Sequence, residues 1–451
     1  MSHKSIFMTI VRAVVVMTAG LWLSSCEKKD PNIGITSSEE GVSYKYPGNR
    51  IGMQETRNVL LFYECGFNSL YSDLSRNMED ELTKGYIPGG GRHENVLLVF
   101  SKFAKNGSYK DVPSYLRRLF KDSEGNVVSD TLKVFPASTV ASSGKTMNEV
   151  LSFVRSTFPA KGYSMVYSSH GSGWLPTGYY NNPSEYERKH QPVGKKFSKA
   201  SGYLEIPEGS MDKDDPYAWM VRSIGQDVMG TGSVEMSTTE FSEGIPFKLD
   251  YLLFDMCFSG GIEVVYPLRE KADYLGVSPA EVLAQGTFDY TKITTFLLKG
   301  QSPDLTGLFN DSFDRYDRQS GDYRSSTVTL LNTKGLDEVA AACSTLLSKY
   351  SEAIANAPIS EIQGYFRMNR HYFYDLEDIF VKSGVPDEDL VPLRNALQNS
   401  IVYKAATPWF ISSFQIKTYS GLSMYLPKAG TKILNTEYKN ESWNKAVGLV
   451  K

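Results

Sequence analysis

An α/β fold with a mostly parallel central sheet is the architecture this sequence predicts, on three observations. First, residues 58–64, 95–100, 164–168 and 252–254 are largely continuous apolar runs of strand length, the pattern of strands buried on both faces. Second, apolar residues at helical spacing lie between them: Leu70, Leu74, Met78 and Leu82, then Met147, Val150, Leu151 and Val154. Strand, helix, strand, helix, strand predicts helices on both faces of the sheet. Third, two runs end in small-residue turns, Ser168-Ser169-His170-Gly171-Ser172-Gly173-Trp174 and Asp255-Met256-Cys257-Phe258-Ser259-Gly260-Gly261. In α/β sheets, sites form where strands end and loops begin.

In chain order, residues 1–26 read as an address. Lys4 and Arg12 supply positive charge, residues 13–23 form an apolar stretch too short for a comfortable membrane span, and Leu23-Ser24-Ser25-Cys26 resembles a bacterial lipobox. That pattern predicts lipidation of Cys26, which becomes the mature N-terminus. Residues 27–55 are polar and read as a tether. The folded core is expected over 56–300, with helices at 70–82 and 145–158 and a hairpin at 116–135 turning at 122–126. Gly89-Gly90-Gly91 reads as a turn, because no Gly-Lys-Ser/Thr follows it.

A long polar insertion interrupts the core at 175–247 and carries Lys195-Lys196-Phe197-Ser198-Lys199. The Cys257 run then leads into a helix marked by Ile262, Val265 and Leu268, and into a strand at 274–277. Residues 301–451 read as a mainly helical region packed on the core, with helices at 305–316, 336–350 and 390–398 and a closing strand at 421–427.

The chain has 451 residues, 41% hydrophobic and 22% charged, with a net charge of −3. No basic block stands out, so a nucleic-acid partner is not expected. The four cysteines are too scattered for a disulfide framework and lack metal-ligand spacing. Their small number allows elimination. Cys26 belongs to the address, Cys343 lies among small apolar residues and reads as a core thiol, and Cys65 has no histidine near it in sequence. Cys257 differs, standing between an apolar strand and a Gly-Gly helix entrance, where a helix N-terminus lowers a thiol's pKa. Of five histidines, His3 leaves with the address, His93 and His190 lie in charged loops, and His371 flanks a helix. Only His170 closes a strand beside glycine.

A histidine at one strand end and a cysteine at another are the minimum apparatus of a thiol nucleophile with its base. Gly171 has no side chain, so its N–H can approach a substrate oxygen and, with the N–H of Cys257, form an oxyanion hole. Asp255 lies two residues before Cys257, on the same side of its strand. It either reads a cationic substrate group or accepts hydrogen bonds from a neighbouring loop.

Together these residues resemble the clostripain-like cysteine peptidases, whose pattern is a strand ending in His-Gly-x-Gly-Trp and another ending in Asp-Ala-Cys-Leu-Met-Gly. The resemblance continues through 263–269 and 272–278 and returns at Gly421-Leu422-Ser423-Met424-Tyr425-Leu426-Pro427. It implies a caspase-like α/β/α sandwich and endopeptidase activity through Cys257 and His170 without a third residue. It also implies a preference for Arg or Lys before the scissile bond, read by acids in the pocket. One such acid maps onto Asp255. The second belongs in a Pro-Gly-Asp-Gly-Trp context, where this chain has Leu283-Ala284-Gln285-Gly286-Thr287-Phe288, so Gln285 stands in its place and Met256 replaces a small alanine. Members are often activated by cleavage between the two strands, for which 195–199 is a target.

No cofactor is required by this chemistry; calcium stays open, since some relatives use it. The expected partners are a protein or peptide substrate and a membrane reached through the lipid on Cys26. The expected location is the cell envelope, at the outer membrane, facing the periplasm or the surface. The competing expectation is a non-catalytic envelope lipoprotein of the same fold that binds peptide or glycan.

Overall fold

The computed structural model describes residues 58–91, 93–176, 179, 183–189, 224–229, 232–367 and 371–451. The address, the tether, His190 and the 195–199 cluster lie outside them. Among the described residues the strands are β1 (Val59–Gly66), β2 (Val96–Phe103), β3 (Ser114–Lys121), β4 (Val127–Phe135), β5 (Tyr163–Ser168), β6 (Ile224–Met229), β7 (Gly232–Met236), β8 (Leu249–Asp255), β9 (Ala272–Val277), β10 (Thr327–Asn332), β11 (Tyr374–Asp375), β12 (Ile401–Ala406), β13 (Trp409–Phe410), β14 (Phe414–Gln415) and β15 (Ser423–Met424).

Nine of these form one sheet in the order β12-β10-β9-β8-β5-β1-β2-β3-β4. The five central strands, β9 to β2, run parallel, and an antiparallel pair closes each edge. The chain leaves β1 toward β2 on one side and returns as β5 on the other. The strand order therefore reverses between β1 and β5, the place where open α/β sheets bind ligands.

Continuous apolar runs produce this centre because both faces are covered. Val59, Leu61, Tyr63 and Cys65 of β1 enter one core, with the buried stripe Met147, Val150, Leu151 and Val154 of the helix Gly144–Thr157 and the C-terminal helices Leu336–Lys349 and Asp387–Ser400. Leu60 and Phe62 enter the other, with Met78, Leu82, Leu308 and Phe309. Caps set the helix starts: Ser143 Oγ accepts from the Thr146 N–H, and Asp304 accepts from the Gly307 N–H.

The structure differs from the sequence expectation in three places. Residues 301–451 are mainly helical as expected, but they also supply β10 and β12, unforeseen strands that complete one edge of the main sheet. The half-exposed alternation of β12 and the shortness of the buried run in β10 hide them among the surrounding helical patterns. The predicted strand at 421–427 shrinks to Ser423–Met424, paired with β11. The insertion, expected as a polar loop, contains the hairpin of β6 and β7 and the helix Thr238–Gly244, capped by Ser237.

That hairpin acts as a strap across the strand ends. Val228 N–H donates to Phe67 C=O (2.8 Å) beyond β1, and Gly225 N–H to His170 C=O (3.0 Å) beyond β5. Asp227 anchors it, accepting from the Ala141 N–H (2.8 Å) and the Ser142 N–H and Oγ (3.2 and 3.1 Å). Lys102 Nζ lies 3.6 Å from Asp227, with both side chains fully buried. Removing one partner of such a pair leaves a buried charge uncompensated. Asp227→Ala is therefore expected to lower unfolding stability by about 3–5 kcal/mol in a denaturant titration. Adding Lys102→Met should recover much of that loss, and an unshifted midpoint for the single variant would contradict the anchor.

Candidate active site

Three loops meet above the reversal point. Asn68, after β1, donates to the carbonyls of Cys65 (2.7 Å) and Gln226 (3.0 Å). Ser169, after β5, donates to the same Cys65 carbonyl (2.8 Å) and accepts from the Gln226 N–H (3.2 Å). His170 is thus held from both sides by backbone. It is 1% exposed, and its Nε2 lies 2.9 Å from Oγ of the exposed Ser69.

Gly171 is where the histidine loop touches the cysteine loop. A Cβ at this position would lie 2.3 Å from Met256 Cγ and 2.7 Å from the Cys257 carbonyl oxygen. Only glycine permits that approach, and the Met256 side chain fills the space beside it. Past Cys257 the chain turns at Phe258, whose φ is +54°. Phe258 N–H then donates to Ala280 C=O (2.9 Å), and Gly260 N–H to Ser278 C=O (2.8 Å). The segment after β9 is laid alongside the cysteine loop in this way.

The Cys257 thiol is covered by that segment. Its Sγ accepts from the Val282 N–H (3.2 Å) and lies 3.6 Å from the Val282 carbonyl. Burial pushes the thiol up to about 12, the Glu281 and Asp255 carboxylates push the same way, and the Val282 N–H opposes them. The lowered pKa expected from a helix entrance is not found in this arrangement. The following helix, Ile262–Val265, is a single turn that starts five residues later. Glu281, with a side chain 2% exposed, holds Arg367 Nε with both oxygens at 3.1 Å. Phe258 stacks on Phe373 (4.4 Å) and meets Phe366 edge-on (5.3 Å).

Asp255 is 6% exposed and accepts from the Thr287 N–H (2.6 Å) and Tyr290 Oη (2.7 Å). Burial raises its pKa, and these hydrogen bonds oppose the rise. Gln285 is exposed, and its neighbour Gly286 presses on Asp255: a Cβ there would lie 2.5 Å from Oδ2. Cys65 and Cys343 are buried free thiols with raised pKa values. His93 is exposed, and His371 lies far along the chain, beside Gly364. Cys26 lies outside the described residues. Among the described residues no group of three His, Cys, Asp or Glu side chains is arranged to hold a metal ion.

Sequence reasoning missed Ser69, the strap, and the Glu281–Arg367 pair, all brought in by tertiary contacts. It also passed over Glu64, which stands near the end of β1 as Asp255 does at the end of β8. Asking which buried strands end in a carboxylate would have found it.

An α/β/α sandwich with a cysteine and a histidine on adjacent strand-end loops defines the caspase-like class of cysteine peptidases. The clostripain family model matches residues 207–433, half of the sequence, and the chain belongs to the clostripain family. Two solved structures share its fold. One is an inactive zymogen C11 protease from Parabacteroides distasonis, 24% identical, with a TM-score of 0.67 over 87% of this chain and 99% of that one. The other is a secreted C11 cysteine protease from Bacteroides thetaiotaomicron in complex with an irreversible peptide inhibitor, 22% identical, with a TM-score of 0.66 over the same shares. A search of curated proteins finds no match.

The covered thiol has a measurable consequence. Because the thiolate is the reactive form, alkylation of Cys257 by iodoacetamide in the intact chain should be slow near neutral pH. Its rate should rise about tenfold per pH unit well beyond the usual cysteine range. A rate followed by mass spectrometry that levels off near pH 8, about the pKa of a free thiol, would contradict the buried, Val282-bonded state.

Proposed function

We propose that this cysteine peptidase is a lipid-anchored endopeptidase of the cell envelope that cuts proteins or peptides after Arg or Lys through a Cys257–His170 dyad. The meeting of the two loops at Gly171 carries the reading, because it sets the cysteine and histidine strand ends side by side at the reversal point. In the proposed reaction the Cys257 sulfur, its proton taken up by His170, attacks the scissile carbonyl carbon. The oxygen gains the displaced electron pair and rests against the Gly171 N–H. The C–N bond then breaks, His170 returns the proton to the leaving amine, and water hydrolyses the thioester.

For this to occur, the Val282 backbone must release the sulfur, and a substrate strand has to take the place of residues 281–282. Cleavage within 195–199 is a proposed trigger. Asp255 is a proposed reader of the basic side chain, and its loop hydrogen bonds supply the alternative role. The lipid on Cys26 would hold the enzyme at the outer membrane. The chemistry needs no cofactor; added calcium during assay tests whether one helps.

The test is hydrolysis of a peptide library by the mature chain, intact and nicked at the insertion. Cleavage after Arg or Lys is expected, with Cys257→Ala removing it and His170→Ala reducing it by about 10²–10⁴-fold. No cysteine-dependent cleavage under any condition would favour a peptide- or glycan-binding lipoprotein of the same fold. For the anchor, labelled fatty acid should enter the full chain and fail to enter Cys26→Ser; equal labelling of both would reject it.

A further inference from the structure

Ser168 and Asp255 are the last residues of β5 and β8, Glu64 lies two residues before the end of β1, and the three stand in register across the strands. Parallel neighbours in register point their side chains to one face. Here that is the face carrying Phe62, Val166 and Leu253. Two carboxylates therefore flank one serine along the edge of the sheet, at the point where strand order reverses, and Asp255 is two residues from the nucleophile.

A chain of hydroxyls bridges them. Ser168 Oγ donates to Glu64 Oε1 (2.9 Å) and lies 3.3 Å from Tyr290 Oη, which donates to Asp255 Oδ2 (2.7 Å). Glu64 is fully buried, and its second oxygen, Oε2, has no hydrogen-bond partner. Among the described residues neither carboxylate has a cationic partner within ion-pair distance, and Arg315 acts on Asp255 only through space, as the smallest of the named influences on it. Burying two acids without a cation is costly. Burial, followed by the repulsion of Asp255, accordingly pushes Glu64 well above the usual carboxylate range.

We infer that Glu64 is a second specificity carboxylate, receiving with Asp255 the guanidinium or ammonium group of the residue before the scissile bond. It supplies the charge that Gln285 lacks. The inference rests on the proposed cleavage after basic residues. The cation takes the place between the acids that the Ser168 and Tyr290 hydroxyls now bridge, and it satisfies Glu64 Oε2. A glutamate near the end of β1 thereby does the work of an acid lost from the loop after β9.

The experiment compares two peptides that differ only at this residue, arginine or its uncharged isostere citrulline, cleaved by the active chain and by Glu64→Gln. The wild-type chain should favour arginine strongly. In the variant the arginine-to-citrulline ratio of kcat/KM should fall about ten- to a hundredfold, the loss of one charge-assisted hydrogen-bonding partner. A folded variant with an unchanged ratio overturns the role of Glu64 and leaves basic specificity standing. A wild-type chain indifferent to the substitution overturns both readings, and cleavage that survives Cys257→Ala overturns the peptidase reading beneath them. Should Glu64→Gln fail to fold, Glu64→Asp, which keeps the charge but withdraws it by one methylene, decides the matter. The arginine-to-lysine ratio must then rise, because only the longer side chain reaches the retracted carboxylate, and an unchanged ratio rejects the assignment.

Discussion

The contact between the Gly171 backbone and the Met256–Cys257 turn is the constraint on which the site depends. β5 and β8 are adjacent parallel strands, so their loops emerge about 4.8 Å apart. Any side chain at 171 would force them open, since the cysteine carbonyl would stand 2.7 Å from its first carbon. Glycine therefore serves twice. It lets the loops close, and in the proposed reaction its N–H is the fixed donor offered to the developing oxyanion.

Closeness of the loops does not by itself make the sulfur reactive. Its nearest partner is the Val282 backbone, and its nearest charges are carboxylates. Burial and the carboxylates favour the neutral thiol, because burial and like charge disfavour an anion, and the single Val282 N–H does not offset them. The segment responsible is held by Arg367 on Glu281 and by the Phe258 and Gly260 N–H groups, which donate to the Ala280 and Ser278 carbonyls. Reactivity in this chain is therefore tied to the position of residues 278–282. A peptide strand that displaced them would exchange one set of backbone hydrogen bonds for another and release the sulfur in the same movement.

Much of this was legible in the sequence because it is a matter of local pattern. Continuous apolar runs read as buried parallel strands, and small residues after two of them marked the loops that carry Cys257 and His170. What escaped was set by distant partners. β12 alternates as a half-exposed edge strand and β10 is a short buried run among helical patterns, and both are recruited by pairing at the sheet edge. The strap owes its place to Asp227, whose carboxylate is tied to Lys102 and to backbone groups more than eighty residues away. The π turn at Asn77–Glu81 lies in a stretch whose apolar spacing reads as uninterrupted α-helix, because i, i+4 periodicity does not distinguish the two.

The same division explains the acids. Asp255 was conspicuous because it precedes a cysteine by two residues, whereas Glu64 precedes nothing reactive and closes an otherwise apolar run. Only register reveals that they belong together, with Ser168 between them on one face. A parallel sheet converts three remote positions into a row, and it does so most closely where the strand order reverses and no crossover helix covers the edge. An acid lost from a loop can be replaced from a strand at such a place, because the strand end is already rigid, buried and aimed at the same few ångströms of space. Substrate selection in this architecture is thus not confined to the loops that vary in length. On the inference drawn above, it extends to the carboxylates near the ends of β1 and β8.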